Sequence, residues 1–314
     1  NVDNIAEAAF SFDDCYCAVD ILHKTEEGYA IYEVKSSTDL SHLEVYAQDV
    51  AYQKYVLTNC GINVTGTYLV NINNEYVLDG DFDVKEFFNI SDISEAVADE
   101  YLKVPTRIAQ AKQMLEGGEP ERDFGEYCHK PYGCTFWEYC SRDIIPHPSV
   151  FDLYRMSFKK ALEHMNEGRL TLENMREEKL TDTQQLQLEC TLGDKTYINK
   201  DGIKEFLTQL SYPLYFLDFE TEQTVIPKYQ GTHPYQQVTF QYSLHYIEQE
   251  GGELKHTEFL GDGVTDPRRA LAEQLCHDIP MNVCTTAYNK AFECTRLKEL
   301  AEAYPDLAPH LINI

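Results

Sequence analysis

Asp20, then Tyr29-Ala-Ile-Tyr-Glu-Val-Lys35, then Gln48-Asp-Val-Ala-Tyr52 carry the first architectural signal of this chain. The run from Tyr29 is apolar and aromatic, with Gly28 before it and Ser36-Ser37 after it, which predicts a strand. Glu33 and Lys35 are two apart, so on a strand they point to one face. Gln48 and Tyr52 are four apart, so on a helix they also share a face. Two carboxylates converging at the end of a hairpin suit a hard divalent cation bound through oxygen. A lysine beside them can orient or deprotonate an attacking water and offset charge on a phosphate. A bare Glu-x-Lys is common in proteins of this size; the signal is the ordered set.

Around this core, strands are expected at 15–22, 29–35, 65–71 and 75–79. A helix is expected near 40–60, where Leu43, Tyr46, Ala47, Val50, Ala51, Tyr55 and Leu57 form an apolar stripe. Residues 92–116 read as one helix, from Ser94 to the stop at Gly117-Gly118. Residues 150–190 read as connecting helices.

Cys128, Cys134 and Cys140 recur every six residues in Tyr127-Cys-His-Lys-Pro-Tyr-Gly-Cys-Thr-Phe-Trp-Glu-Tyr-Cys140. A Pro-Tyr-Gly turn among aromatic residues suggests a folded loop that presents thiolates to one point. Cysteine ligation suits an iron–sulfur cluster or structural zinc, and the lack of a C-x-x-C pair disfavours a zinc ribbon. His129 is an alternative zinc ligand, but it adjoins Cys128 in sequence.

A second constellation follows. Leu214-Tyr-Phe-Leu-Asp-Phe-Glu-Thr221 predicts an apolar strand with Asp218 and Glu220 on one face. Such a pair suits two-metal phosphoryl chemistry. Thr286-Ala-Tyr-Asn-Lys-Ala-Phe-Glu293 then carries an acid, Glu293, into a helix. The stretch 226–245, rich in aromatic and amide side chains, is expected to form the hairpin after Asp218-x-Glu220, and base stacking is one use of it. Asp266-Pro-Arg-Arg269 reads as a helix start whose arginines either touch phosphate or face solvent.

The first pattern resembles the PD-(D/E)XK nuclease core, in its RecB-like branch with a Gln-x-x-x-Tyr helix. The cysteine run resembles the tail of the CRISPR-associated members of that branch. The second pattern is similar to the RNase H-like DnaQ exonucleases, most of which carry Asp where Glu293 stands. Together they resemble a bacterial family that fuses the two modules, over nearly the whole chain.

The resemblance implies an α/β chain in which a restriction-endonuclease-like domain precedes a partial RNase H-like (DnaQ-type) domain. The expected division is residues 1–145 for the nuclease domain with its cysteine tail, 146–205 for a helical connector, and 206–314 for the exonuclease domain. Asp20, Glu33, Asp218, Glu220 and Glu293 become ligands of Mg²⁺ or Mn²⁺, Lys35 the catalytic lysine, and Gln48 and Tyr52 the residues that position the strand or the lysine. Cys128, Cys134 and Cys140 become ligands of a [4Fe-4S] cluster, with Zn²⁺ as the alternative. The fourth cysteine and the last exonuclease motifs are expected outside this chain, with Cys15 or Cys17 as the fourth ligand otherwise. The implied reaction is hydrolysis of DNA, single-stranded or at duplex ends, in repair or defence, with protein partners. The alternative is a non-catalytic nucleic-acid-binding module of such a complex; a structural zinc protein is the third reading.

Composition bounds these readings. Apolar residues make up 43% of the 314, enough for packed cores, and the length favours two domains. No run of eighteen apolar residues predicts a membrane span. Ten cysteines in a chain of this size read as metal-binding or free thiols in reducing cytoplasm, not as a disulfide scaffold. The net charge of −27 opposes generic binding to a phosphate backbone, so a nuclease reading needs a local cationic site or bound metal.

Overall fold

The computed structural model describes residues 2–314. The chain is mixed α/β with two mixed sheets. It opens with β1 (Asn4–Phe12), β2 (Cys15–Lys24) and β3 (Tyr29–Val34), followed by α1 (Leu43–Asn59) and β4 (Val64–Ile72). The short α2 (Val84–Phe87), β5 (Phe88–Asp92) and α3 (Ser94–Tyr101) complete this part. The sheet order is β1-β2-β3-β4-β5. β1, β2 and β3 pair antiparallel, β3 and β4 pair parallel across the α1 crossover, and β5 returns antiparallel on β4.

The β2–β3 turn fixes this register. Thr25 N–H donates to Gly28 O at 2.8 Å, and Gly28 N–H donates to Thr25 Oγ1 at 3.1 Å. A Cβ on Gly28 would lie 2.2 Å from Asn63 O, so no other residue fits beside the start of β4 without backbone movement.

Two strands escape a reading from propensity. β1 is rich in Ala, and β5 reads Phe-Asn-Ile-Ser-Asp; both are imposed by pairing with a neighbour. The expected strand at 75–79 does not form. Tyr76 and Leu78 are buried and Val77 is exposed, as alternation predicts. Their backbone bonds go to a loop instead: Leu78 N–H donates to Thr232 O at 2.9 Å, and Gly231 N–H donates to Leu78 O at 2.8 Å. The single helix expected over 92–116 is two, α3 and α4 (Val104–Glu116). Pro105 has no N–H to continue the first helix and sits in the first turn of the second.

After α4 come α5 (Trp137–Ser141), α6 (Phe158–Asn166) and α7 (Asp182–Gly193). Ser157 caps α6, and Thr181 with Gln184 forms a capping box on α7. Val150, Leu153, Ala161, Leu172, Met175 and Leu188 form a buried core of their own. The segment is thus more than a connector.

The last part contains α8 (Lys200–Thr208), β6 (Leu214–Gln223), β7 (Gln237–Ile247), β8 (Lys255–Leu260), α9 (Arg268–Asp278), β9 (Cys284–Thr286), α10 (Lys290–Ala303) and α11 (Ala308–Asn313). Its sheet order is β8-β7-β6-β9, antiparallel except for the β6–β9 pair. Tyr215, Leu217 and Phe219 alternate into a core with Tyr242, Leu271 and Leu297.

Chain contacts divide the molecule into two compact units. One joins the residues up to Val104 with Gly202–Ile314; the other is Pro105–Asp201. The first boundary falls at 104/105, not at 145, and the second at 201/202, close to the expected 205. The cysteine run shares a unit with the 150–190 helices, and both sheets share the other. Within that unit the 226–236 stretch is not simply a hairpin. Gln230 exchanges hydrogen bonds with Gly80 at 2.7 and 2.9 Å, and Tyr235 Oη donates to Ser36 O at 2.6 Å. Among the described residues no helix is long and apolar enough to cross a membrane.

Candidate active site

The end of β3 and one face of α1 bring four polar side chains into a closed ring. Lys35 Nζ donates to Glu33 Oε1 at 2.6 Å and to Asp49 Oδ2 at 3.2 Å. Gln53 Nε2 donates to Glu33 Oε2 at 2.8 Å and reaches Asp49 Oδ1 at 3.5 Å. The Lys35 ammonium also sits 5.4 Å from the centroid of the Tyr46 ring, a cation–π distance. Glu33 and Gln53 are each only 4% exposed. Asp20 lies next to this ring: its Oδ2 accepts from Val34 N–H at 2.7 Å. The β2–β3 register pairs Ile21 with Tyr32, so one step further sets Asp20 opposite Glu33.

Burial pushes the Glu33 carboxyl above its ordinary range, and the nearby Asp49 adds to this; hydrogen bonds from Lys35 and Gln53 offset only part. Burial acts on Lys35 in the opposite sense, but bonding to Glu33 and Asp49 outweighs it and raises the ammonium to about 12. Lys35 is therefore a fixed cation at neutral pH.

Sequence reasoning placed the helix partners at Gln48 and Tyr52. Tyr52 instead clips α1 to β2: its Oη donates to Tyr16 O at 3.0 Å and accepts from Tyr16 N–H at 3.1 Å. Gln48 is half-buried on the same helix. The side chains that touch Glu33 and Lys35 are Gln53 and Asp49, neither of which the sequence reading chose. A signal for Gln53 was present: it is a polar residue inside the buried stripe of Tyr46, Val50, Val56 and Leu57. Asp49 stands one helical turn before it.

The second sheet presents Asp218 and Glu220 on its open face, opposite Ser243 and Gln241 of β7. Asp218 lies in an open groove of about 860 Å³ with Phe206, Phe216, His245 and Tyr288. His245 and His256 face each other across β7 and β8 with ring centroids 4.4 Å apart. Glu293 sits in the first turn of α10, 4% exposed, with Oε2 lacking a hydrogen-bond partner. It lines an adjoining cavity of about 340 Å³ that shares Phe206, Leu217, Thr286 and Ala287 with that groove.

The two arginines before α9 are taken up by carboxylates. Arg268 pairs with Asp266, and Arg269 grips Asp306 through two bonds of 2.8 and 2.7 Å while also bonding Glu273. They are thus not free phosphate contacts.

All ten cysteines are free. Cys128 is buried in a turn, Cys134 and Cys140 are exposed, and His129 packs on Phe158 with centroids 3.8 Å apart and the rings tilted by 34°. Burial pushes the Cys17 thiol up to about 11. Among the described residues no three His, Cys, Asp or Glu side chains are gathered as a metal-binding group. The cysteine loop thus does not present the converging thiolates expected of it, and Asp218, Glu220 and Glu293 do not meet at one point.

A partly buried network that sequence did not reveal lies at the end of α9. Asp278 accepts from Tyr242 Oη at 2.6 Å, from Gln274 at 2.9 Å and from Thr257 at 3.4 Å. Burial pushes its carboxyl up, but hydrogen bonds from Tyr242, His277 and Gln274 outweigh burial and hold it below the ordinary range. A depressed carboxyl stabilises the fold above its unfolded value of about 3.9, and that stability is lost as pH falls through the folded value. The expected result is that the Asp278→Asn variant loses less melting temperature than the parent between pH 6 and pH 3. Equal acid slopes in calorimetry would contradict it.

Residues 215–314 match a family model described as a domain of unknown function (DUF2779). No curated protein matches the chain.

Proposed function

We propose that this chain is a divalent-cation-dependent nuclease that hydrolyses DNA phosphodiester bonds at the Asp20, Glu33 and Lys35 site. The observation that carries the reading is the ring at the end of β3, where a buried carboxylate is paired with a lysine beside a second strand carboxylate. The sheet order supports it. A β2–β3 hairpin followed by α1 and a parallel β4 is the arrangement expected of a restriction-endonuclease-like core. An antiparallel β8-β7-β6 with β9 added parallel is the one expected of an RNase H-like, DnaQ-type sheet.

The donor set tests the metal. Asp20 and Glu33 offer carboxylate oxygens, the donors that Mg²⁺ and Mn²⁺ take, and on this reading they hold the ion. Bound there, such an ion supplies Lewis acidity and lowers the pKa of its water. The chain's own residues do the rest. Gln53 fixes one oxygen of Glu33, leaving the oxygen now on Lys35 to turn. Lys35, still charged, orients the water and offsets charge on the phosphate. Among the described residues no three donors are gathered, at this site or in the cysteine loop, so the reading assigns the ion to the Asp20 and Glu33 pair and makes no use of the cysteines.

The net charge of −27 and the dispersed Asp218, Glu220 and Glu293 favour a second reading for the later sheet, as a module that binds nucleic acid without cutting it.

The experiment is cleavage of labelled single- and double-stranded DNA with Mn²⁺ or with chelator, by the parent and by the Asp20→Asn and Asp218→Asn variants. Asp20→Asn is expected to lower the rate at least about a hundredfold, in line with the loss of a group acting at the reacting centre. Cleavage lost only in Asp218→Asn would move the activity to the second sheet. Parent protein that binds DNA without cutting it would favour the binding module.

A further inference from the structure

Lys35 meets a difficulty that its strand neighbours do not solve. Its closest partner is Glu33 Oε1, at 2.6 Å. That oxygen is the one a cation would claim, because the other is held by buried Gln53. An ammonium held by Glu33 alone would be displaced or set swinging at the moment the site loads. A long lysine side chain without an anchor samples many rotamers, and misplacement by about 1 Å is enough to cost roughly a hundredfold in rate.

Asp49 supplies the other anchor. It projects from α1, a separate element from the strand that carries Glu33 and Lys35, so its position does not depend on where Glu33 turns. Its Oδ2 is 3.2 Å from Lys35 Nζ, and its Oδ1 is 3.5 Å from Gln53 Nε2. The Asp49 side chain is 46% exposed, against 26% for Lys35 and 5% for Glu33, so it stands at the rim while Glu33 is at the base. The Tyr46 ring, one turn earlier on the same helix, closes the remaining side of the ammonium.

We propose that Asp49 is a positioning residue: it keeps the Lys35 ammonium in place while Glu33 exchanges that ammonium for a divalent cation. The role rests on the nuclease reading of this site. Asp49 does not touch substrate; it acts through Lys35. With Asp49 in place, loading of Glu33 removes one of two carboxylate contacts from Lys35 and leaves the other. Without it, loading leaves Lys35 with the face of Tyr46 alone.

The test combines a spectroscopic and a kinetic readout on the full chain. Lysine-selective ¹⁵N labelling reports the Lys35 ammonium by NMR, with the signal assigned through Lys35→Ala. Asp49→Asn and Asp49→Glu are compared with the parent, with and without Mg²⁺, and thermal melts check that each variant folds. The expected result is a parent Lys35 signal that persists on adding Mg²⁺. In Asp49→Asn it broadens or shifts, kcat for DNA cleavage falls about tenfold or more, and KM stays within about twofold. Asp49→Glu restores part of both readouts.

A Lys35 signal unchanged in Asp49→Asn, or cleavage that Lys35→Ala abolishes but Asp49→Asn leaves at the parent rate, overturns the role of Asp49 alone. Cleavage that Lys35→Ala does not reduce, or a parent that does not cleave, overturns the nuclease reading and the role of Asp49 with it.

Discussion

Replacing Lys35 with alanine is expected to lower Mn²⁺-dependent DNA cleavage by about 10²–10⁴-fold, the range for a positioned group that manages charge or protons at the reacting centre. At about 1.4 kcal/mol per tenfold, this is roughly 3–5 kcal/mol of transition-state stabilisation. The size follows from the surroundings of Lys35. Its ammonium is the cation nearest the buried Glu33, and Asp49 adds a second negative charge. In a chain of net charge −27, an approaching phosphate needs a fixed positive charge at this point. Arginine is not expected to rescue the variant. Its planar fork is larger than the ammonium and would have to fit the space between Glu33, Asp49 and the Tyr46 ring. The check is initial rates on single- and double-stranded substrates, beside a melt showing that the variant folds. Parent-like cleavage by Lys35→Ala would remove this site from the reaction.

The second large effect is on stability. Leu271 on α9 is fully buried and packs in the core that joins α9 and α10 to the covered face of the second sheet. Leu271→Ala is expected to destabilise the protein by about 2–5 kcal/mol, from lost apolar burial plus the cavity left behind. For a unit of this size each kcal/mol moves the melting temperature by roughly 2–4 °C. Denaturant unfolding followed by tyrosine fluorescence and circular dichroism measures it. A change below about 1 kcal/mol would mean that the surrounding residues collapse into the space. Leu260 is the control: it is 65% exposed on β8, and its replacement by alanine is expected to fall within about 0.5 kcal/mol of the parent.

Asp20, Glu33 and Lys35 were legible in sequence because their relation is local. A two-residue spacing on a strand sets Glu33 and Lys35 on one face, and Gly28 marks the turn that returns Asp20 to face them. The helix partners were not legible in the same way. The sequence of α1 offers two sets at four-residue spacing, Gln48 with Tyr52 and Asp49 with Gln53. Both satisfy helical periodicity. Which set meets β3 depends on the rotation of α1 about its own axis. That rotation is set by packing Tyr46, Val50, Val56 and Leu57 against the sheet. Gln53 is carried inward with that stripe, and Tyr52 is carried to β2.

The second sheet shows the same division. Alternation from Leu214 to Glu220 predicted which residues point together, and Asp218 and Glu220 do share the open face. Where Glu293 would lie relative to them is a matter of how α10 packs, and α10 packs on the other face. Likewise, alternating burial at 75–79 was readable, but the partner of that segment was not, because the loop at 229–232 that bonds it lies about 150 residues away.

What the sequence determined by itself is therefore local: the strand and helix periods, the turn at Gly28, and the pairing of acid and lysine on one strand face. These follow from backbone geometry over a few residues. Only the tertiary structure decided which helix face meets the carboxylate, that both sheets belong to one compact unit, and that the cysteine run packs with the 150–190 helices. Those outcomes depend on the competition among many weak apolar contacts between segments distant in sequence.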